Sequence, residues 1–170
     1  MPDIVTRVEW ACSLEEARSV LSETGALACF PGVSRAAADG RQAGFQQEIE
    51  LPLIGRRTQS VEVRTEEARP SERTTHLLFV SRGALLSVSG RWTLEDVDGR
   101  VDARLTAGYQ VAEELVADAV NELRSRSPLP IRTDADAILE RAVGNSFDSY
   151  FATALAEYRD RVSALVVGRA

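Results

Sequence analysis

The sequence predicts an α+β domain in which an antiparallel sheet packs against a long C-terminal helix. Between residues 33 and 111 apolar side chains recur at nearly every second position, which is typical of strands with one buried face. After Gln110 the period changes to that of a helix, and an apolar stripe continues almost to the end of the chain. The strands follow one another without intervening helices, so we expect antiparallel hairpins. A length of 170 residues suits one such domain, spanning residues 1–170.

The chain begins with a strand and a short helix. Residues 4–12 alternate, with Ile4, Val8 and Trp10 on one face. Ser13 then stands three residues before Glu16, a capping-box pattern that starts a helix, and Gly25 ends that helix. Further alternating runs cover residues 45–51, 57–65, 74–80, 85–94 and 101–111. We therefore expect six to seven strands.

Turn signals separate these runs. Ala38-Asp39-Gly40 and Val97-Asp98-Gly99 contain Asp-Gly pairs, which are strong hairpin signals. Arg69-Pro70-Ser71 and Ser81-Arg82-Gly83 are also turn-like. Sequential hairpins of this kind predict an antiparallel meander.

Two helices are expected at the C-terminal end. An extra helical segment around residues 113–130 ends at Ser127-Pro128-Leu129-Pro130, because proline cannot continue a helix. Thr133 can then cap the last helix. Some thirty helical residues would measure ~50 Å, whereas a globule of this size spans ~40 Å. This helix must therefore overhang or be interrupted, and Gly144-Asn145 is the expected point of interruption.

The composition argues against several classes of function. A net charge of −6 disfavours nucleic-acid binding, which relies on clustered cations. All 20 basic residues are arginine, which excludes a Schiff-base lysine and a P-loop lysine. A zinc site would need the single histidine, His76, with Cys12, Cys29 or carboxylates, and the usual short ligand spacing is missing. We expect no metal and no cofactor.

The start of the chain and its hydropathy favour a soluble, cytoplasmic protein. Met1-Pro2-Asp3 leads directly into a strand-like stretch without a secretory signal pattern. No apolar run approaches the ~20 residues that a membrane span needs. In such a location Cys12 and Cys29 should be reduced.

Three short segments carry a family resemblance. Cys29-Phe30-Pro31-Gly32-Val33 forms a "pGv" turn before the second strand, Arg91-Trp92-Thr93-Leu94 with Asp98-Gly99 forms a "W-x-L…G-T" hairpin in which Arg100 replaces the usual threonine, and residues 146–151 lie in a closing helix. These segments resemble those of the START-like (SRPBCC) superfamily, which includes polyketide cyclases and Bet v-type proteins. Within it, the match is closest to the group of the carbon monoxide dehydrogenase G subunit. Residues 116–131 make a longer connection than is usual there.

The resemblance implies a helix-grip fold, a curved antiparallel sheet that wraps the C-terminal helix and encloses a cavity. Ligand cavities are concave and mostly apolar. Trp92 and Tyr109 carry polar groups that need partners when buried, so they suit ligand contact. The side chains expected to line the cavity are Phe45, Gln47, Trp92, Tyr109, Phe147, Tyr150 and Phe151.

Few side chains could act in catalysis. His76 could serve as a general base near neutral pH, but both faces of its strand look apolar, so the period leaves its direction open. Glu48 and Glu50 share the strand face opposite Phe45 and Ile49, which suits a solvated surface. We therefore identify no catalytic residue.

Three hypotheses for function follow. The first is the binding of an apolar or amphipathic small molecule between the sheet and the C-terminal helix, for carriage, sensing or presentation. The second is an enzyme of the cyclase, dehydratase or hydratase type in the same cavity. The third, suggested by the resemblance to the carbon monoxide dehydrogenase group, is an accessory or assembly factor for a larger enzyme complex. The scarcity of catalytic residue types favours the first and third, and either is compatible with a protein partner or a homodimer.

Overall fold

A computed structural model of the chain describes residues 3–39, 42–51, 54–126 and 135–169. One strand and two short helices come first, a long run of strands follows, and two helices complete the described chain. The elements are β1 (Ile4–Trp10), α1 (Leu14–Ser22), α2 (Thr24–Leu27), β2 (Val33–Asp39), β3 (Gln42–Leu51), β4 (Gly55–Ser71), β5 (Thr74–Gly83), β6 (Leu86–Val97), β7 (Arg100–Val111), α3 (Glu113–Arg126) and α4 (Ala135–Arg169).

The strands of the described chain form one seven-stranded sheet in the order β1-β7-β6-β5-β4-β3-β2. All neighbouring strands are antiparallel. From β2 to β7 each strand pairs with the next one along the chain, and β1 pairs with β7. The sheet curls around the long α4. This arrangement confirms the predicted α+β helix-grip fold and its six to seven strands.

One stripe of α4 faces the concave side of the sheet. Its buried members follow at intervals of three or four residues, which keeps them on one side of a helix. Each is at most 3% exposed, and the set is Val143, Phe147, Phe151, Leu155, Tyr158, Val162 and Val166. Burial of a large apolar side chain contributes roughly 1.5–3 kcal/mol. Packing of this stripe is therefore the main force that holds α4 against the sheet.

The last helix is continuous, so the predicted interruption at Gly144-Asn145 is wrong. Helix α4 includes 35 residues, about 52 Å at 1.5 Å per residue. Glycine inside a helix costs about 1 kcal/mol relative to alanine, and the buried Val143 and Phe147 on either side offset that cost. Helix α4 also contacts α3, and Ile138 near the N-terminus of α4 is 68% exposed. The helix overhangs the sheet instead of breaking.

Local signals placed several element ends correctly. The Ser13 side chain accepts a hydrogen bond from the Glu16 backbone, and the Glu16 carboxylate accepts one from the Ser13 backbone, which confirms the capping box. Asp98 and Gly99 have φ values of 54° and 80°, the left-handed conformations that an Asp-Gly hairpin turn requires. Of the extra helical segment predicted around residues 113–130, α3 covers residues 113–126.

Two predicted turns lie a few residues too early, because the strands continue through them. Strand β4 runs to Ser71 and β5 to Gly83, so Arg69-Pro70-Ser71 and Ser81-Arg82-Gly83 end their strands, and the turns follow at residues 72–73 and 84–85. The strand tolerates Pro70 because the register between β4 and β5 shifts between Ala68 and Ser71. Gly40 and the predicted helix stop and start at Ser127–Pro130 and Thr133 lie outside the described residues.

Among the described residues, no helix has both the length and the apolar composition needed to cross a membrane.

Candidate functional site

A small apolar cavity, which we call the inner pocket, lies between α2 and the concave face of the sheet. Its volume is about 20 Å³, enough for roughly one water molecule. Its walls come from the α2 segment and from β2 to β6, with no contribution from α4. The lining residues are Leu27, Phe30, Val33, Phe45, Gln47, Val61, Val63, Phe79, Ser81 and Val88.

A second cavity, the side pocket, has a volume of about 140 Å³ and lies between α1 and strands β4 and β5. The exposed Ser22 and Glu67 stand at its surface, whereas Trp92 and Tyr158 lie in the core, so it leads from solvent to the interior. Leu27 lines both pockets. The full lining is Leu21, Ser22, Leu27, Thr65, Glu66, Glu67, Leu77, Leu78, Phe79, Trp92 and Tyr158.

The two pockets are separated by an aromatic cluster. Phe30 stacks on Tyr158 of α4, with ring centroids 4.2 Å apart and an interplanar angle of 23°. Phe79 approaches both rings edge-on, at 6.2 Å from Phe30 and 6.4 Å from Tyr158. Since Leu27 and Phe79 line both pockets, they and Phe30 form the wall between them. Displacement of this wall would join the two spaces.

Tyr158 is the polar centre of this cluster. Its side chain is 1% exposed, and the indole Nε1 of Trp92 donates to its hydroxyl at 3.5 Å. Burial raises the pKa of Tyr158, because the phenolate would lose its hydration. The hydroxyl therefore stays neutral at physiological pH.

Two buried glutamines, Gln59 and Gln47, form a chain of hydrogen bonds beside the inner pocket. The Oε1 atom of Gln59 accepts backbone hydrogen bonds from Leu85 at 3.0 Å and Leu86 at 3.1 Å. Its Nε2 atom donates to Oε1 of Gln47 at 3.0 Å and to the Leu86 carbonyl at 3.3 Å. Gln47 in turn donates from Nε2 to the Pro31 carbonyl at 3.3 Å. Buried amides are stable when they are bonded in this way.

Two glycines allow the walls of the inner pocket to approach each other. Gly32 has a φ of 78°, and a Cβ there would lie 1.8 Å from the Glu48 carbonyl oxygen. The Gly32 carbonyl also accepts the Glu48 backbone N–H at 2.8 Å. A Cβ on Gly90 would lie 2.4 Å from Cζ of Phe79, so the Phe79 ring occupies the space above Gly90. Gly32 therefore permits the close approach of the turn before β2 to β3, and Gly90 leaves room for the Phe79 ring.

Three of the seven predicted ligand contacts line the inner pocket or the side pocket. Phe45 and Gln47 lie in the inner pocket and Trp92 in the side pocket. Trp92 also packs against Trp10, with ring centroids 5.5 Å apart. The two pockets are adjacent, so these residues belong to one region of the concave face.

The other four predicted contacts lie outside both linings. Tyr109 contacts Phe151, with ring centroids 4.5 Å apart, and its hydroxyl donates to Oδ1 of Asp148 at 2.5 Å. Burial and this carboxylate raise the pKa of Tyr109. Phe147 is 3% exposed in the core. Tyr150 is half-buried, and burial is the first cause of its raised pKa. Ligand contact by these four residues stays a prediction.

The single histidine lies on the opposite side of the sheet from both pockets. Thr75, Leu77 and Phe79 of β5 are buried on the concave face, so His76 between them points to the outer face. Glu48 and Glu50 are exposed on the outer face of β3, as their alternation with Phe45 and Ile49 predicts. Within residues 3–39, 42–51, 54–126 and 135–169, no group of His, Cys, Asp and Glu side chains could hold a metal ion.

Both cysteines are free, Cys12 buried and Cys29 half-buried. Burial raises the pKa of each thiol. A raised thiol pKa lowers the fraction of thiolate, which is the reactive form.

Sequence reasoning missed most of the pocket wall. Phe79 and Val61 were readable as inward residues, because they share the two-residue period with other core positions of their strands. Gln59 lies on the same face of β4 as Val61 and Val63, and a polar residue at such a position is a readable signal for a buried hydrogen-bond network. Phe30 had no such signal, because it lies in an irregular segment.

The sequence matches no protein-family model and no curated protein at a significant level. The fold, by contrast, resembles many solved structures. A conserved protein from Geobacillus kaustophilus aligns with a TM-score of 0.59 and 11% identity, over 98% of this chain and 96% of that chain. A Chromobacterium violaceum protein aligns with a TM-score of 0.54 and 13% identity, over 97% and 96% of the two chains. Ara h 8.0201 aligns with a TM-score of 0.50 and 9% identity, over 98% of each chain.

At such low sequence identity, structural similarity indicates a shared fold but not a shared function. The grouping with the carbon monoxide dehydrogenase G subunit remains a prediction. The chain thus shares the helix-grip fold of these solved structures, and its function has to be argued from its own side chains.

Proposed function

We propose that the protein binds an apolar or amphipathic small molecule on the concave face of the sheet, beginning at the inner pocket. The observation that carries this proposal is the chemistry of the lining: eight apolar side chains and two uncharged polar ones, Gln47 and Ser81. Ligand sites are mostly apolar with a few placed polar groups. The inner pocket has that composition, and five neighbouring strands of the curved sheet, β2 to β6, form most of its lining.

A ligand has to move part of the wall in order to bind. The inner pocket holds about 20 Å³ and the side pocket about 140 Å³, whereas sites for small molecules typically measure about 300–1,000 Å³. Leu27 and Phe30 lie in and just after the four-residue α2, outside the sheet. Local backbone hydrogen bonds hold this segment, among them Phe30 N–H to the Leu27 carbonyl at 3.3 Å. Its displacement would leave the sheet intact and open one continuous space.

The ligand would then take the position of Phe30 against Tyr158. Stacked or edge-on aromatic contacts add roughly 0.5–1.5 kcal/mol beyond area burial. Tyr158, Phe79 and Trp92 offer three such surfaces in the space that Phe30 would vacate.

Binding is a better assignment than catalysis for this site. The lining of the inner pocket contains no side chain that titrates near neutral pH, and His76 points to the other face of the sheet. We therefore place the protein among carriers, sensors or presenting proteins, and we propose a cytoplasmic location.

Fluorescence of N-phenyl-1-naphthylamine, a neutral apolar dye, tests this proposal. The parent protein should bind the dye, and Phe30→Ala should bind it more tightly because the wall is already open. Val88→Phe should fill the inner pocket and weaken binding, whereas the matched Val80→Phe, on the exposed outer face of β5, should leave binding unchanged. Circular dichroism shows that each variant is folded. Absence of dye binding by both the parent and folded Phe30→Ala would refute the proposal.

A further inference from the structure

The orientation of the Gln47 amide follows from its neighbours. Oε1 of Gln59 accepts two backbone N–H groups, so the Nε2 end of Gln59 must face Gln47. Nε2 of Gln59 has two hydrogens, and both are used, one on Gln47 and one on the Leu86 carbonyl. Gln59 is therefore fully bonded. Since a donor faces it, Gln47 presents its oxygen to Gln59 and its NH₂ group to the other side.

One N–H of Gln47 is left for the pocket. Its NH₂ group donates one hydrogen to the Pro31 carbonyl at 3.3 Å, and the described residues accept no second one. Gln47 lines the inner pocket and is 9% exposed. A ligand oxygen is the group that would satisfy this remaining donor.

Ser81 offers a second uncharged polar group to the same space. It lies on the concave face of β5, two residues after Phe79, and lines the inner pocket. Its hydroxyl makes no hydrogen bond to any of the described residues, in contrast to the bonded Gln47. A serine hydroxyl can donate or accept. Ser81 is level with Ala43 and two strands away from β3, so it and Gln47 lie at different parts of the lining.

We propose that the ligand is a neutral molecule whose apolar body carries one acceptor oxygen, as in a ketone, a lactone or an alcohol, and that the remaining N–H of Gln47 binds this oxygen. This assignment rests on the proposed function and adds the chemical class of the ligand. The saturated Gln59 acts as the positioning residue, because it fixes which end of the Gln47 amide faces the pocket.

The same lining discriminates against two other classes. A hydrocarbon of the same shape would bury the Gln47 N–H without a partner, and a buried unpaired donor is unfavourable. A carboxylate would lose its hydration in a pocket that supplies no cation among its ten lining residues. A neutral oxygen satisfies the donor at no charge-desolvation cost.

Three bicyclic probes of similar size separate these classes: tetralin, 1-tetralone and 1-naphthoate. Each competes with N-phenyl-1-naphthylamine on the parent protein. We expect 1-tetralone to bind about three- to tenfold more tightly than tetralin, the value of one net hydrogen bond, and 1-naphthoate to bind most weakly. Equal binding of tetralin and 1-tetralone, or tighter binding of 1-naphthoate, would overturn this assignment while leaving the proposed function in place. If the dye binds but no neutral probe displaces it, this assignment falls, whereas the proposed function falls only if the dye itself does not bind.

Two variants identify the residue responsible. Ser81→Ala removes a hydroxyl that lies two strands and four register positions from Gln47, so the fold and the preference for 1-tetralone over tetralin should both persist. Gln47→Met removes the donor and should bring the two affinities to within about twofold. Ser89→Ala, on the outer face of β6, is the matched control and should keep the parent preference. A full ketone preference in folded Gln47→Met, or loss of the preference in folded Ser81→Ala, would refute the assignment to Gln47.

Discussion

The contact between Gly90 and Phe79 makes a quantitative prediction about the wall of the pocket. A Cβ on residue 90 would lie 2.4 Å from Cζ and 2.8 Å from Cε1 of Phe79, and 3.0 Å from Cβ of Ala107. Carbon atoms pack at roughly 3.5–4.0 Å, so in Gly90→Ala the Phe79 ring must move by about 1 Å. Overpacking of this kind costs about 1–3 kcal/mol. Alanine recovers about 0.5–1 kcal/mol of backbone entropy, so we expect a net loss of about 1–2 kcal/mol.

Replacement of Phe79 by the smaller leucine should remove this conflict. In Phe79→Leu, the further change Gly90→Ala should be close to neutral, because the backbone entropy gain remains and only the contact with Cβ of Ala107 at 3.0 Å opposes it. The coupling between the two changes should therefore be about 1–3 kcal/mol. Urea denaturation of the parent, both single variants and the double variant measures it. Singles that add to within about 0.5 kcal/mol would show that the ring does not lie over Gly90.

Two further predictions test the turn before β2 and the helix–sheet core. Gly32→Ala should prevent folding or cost well over 3 kcal/mol, since its Cβ would overlap the Glu48 carbonyl at 1.8 Å. Gly55 is the matched control, because it has the same φ of 78° but nothing within 4 Å of a Cβ, so Gly55→Ala should cost only about 1–2 kcal/mol. Thermal and urea denaturation measure both variants, and equal losses of stability in the two would contradict the overlap at Gly32. Phe151 is 2% exposed, packs against Tyr109 and lies outside both pockets. Phe151→Ala should therefore lower the free energy of unfolding by about 3–5 kcal/mol and retain dye binding. A loss below about 1.5 kcal/mol would indicate a cavity beside Phe151.

The two-residue period predicted the buried face of most strands correctly. In β3, Phe45, Gln47 and Ile49 are buried while Glu48 and Glu50 are exposed. This agreement is expected, because successive side chains of a strand point to opposite faces whatever the rest of the fold does. The Ser13 cap and the Asp98-Gly99 turn were readable for a similar reason, since each depends on residues that are neighbours in the sequence.

The sequence pattern did not predict the orientation of a side chain or the continuity of a helix where tertiary packing decides them. His76 lies in a strand with apolar residues on both faces, and only the sheet shows that Thr75, Leu77 and Phe79 are the inward ones. The break predicted at Gly144 failed because the cost of one exposed glycine is small beside the packing of its buried neighbours.

By itself the sequence determined the fold class, the order of the elements and the inward set of most strands, because these depend on periods and turn residues that are local. Only the tertiary structure decided where the pocket lies. The contacts around the pocket join residues far apart in the chain, such as Phe30 with Tyr158 and Gln59 with Leu86. The lining of the inner pocket comes from α2 and the strands from β2 to β6, whereas Tyr109 and Phe151 pack against each other outside it. A void exists where side chains from several elements fail to meet, and no local pattern records that failure.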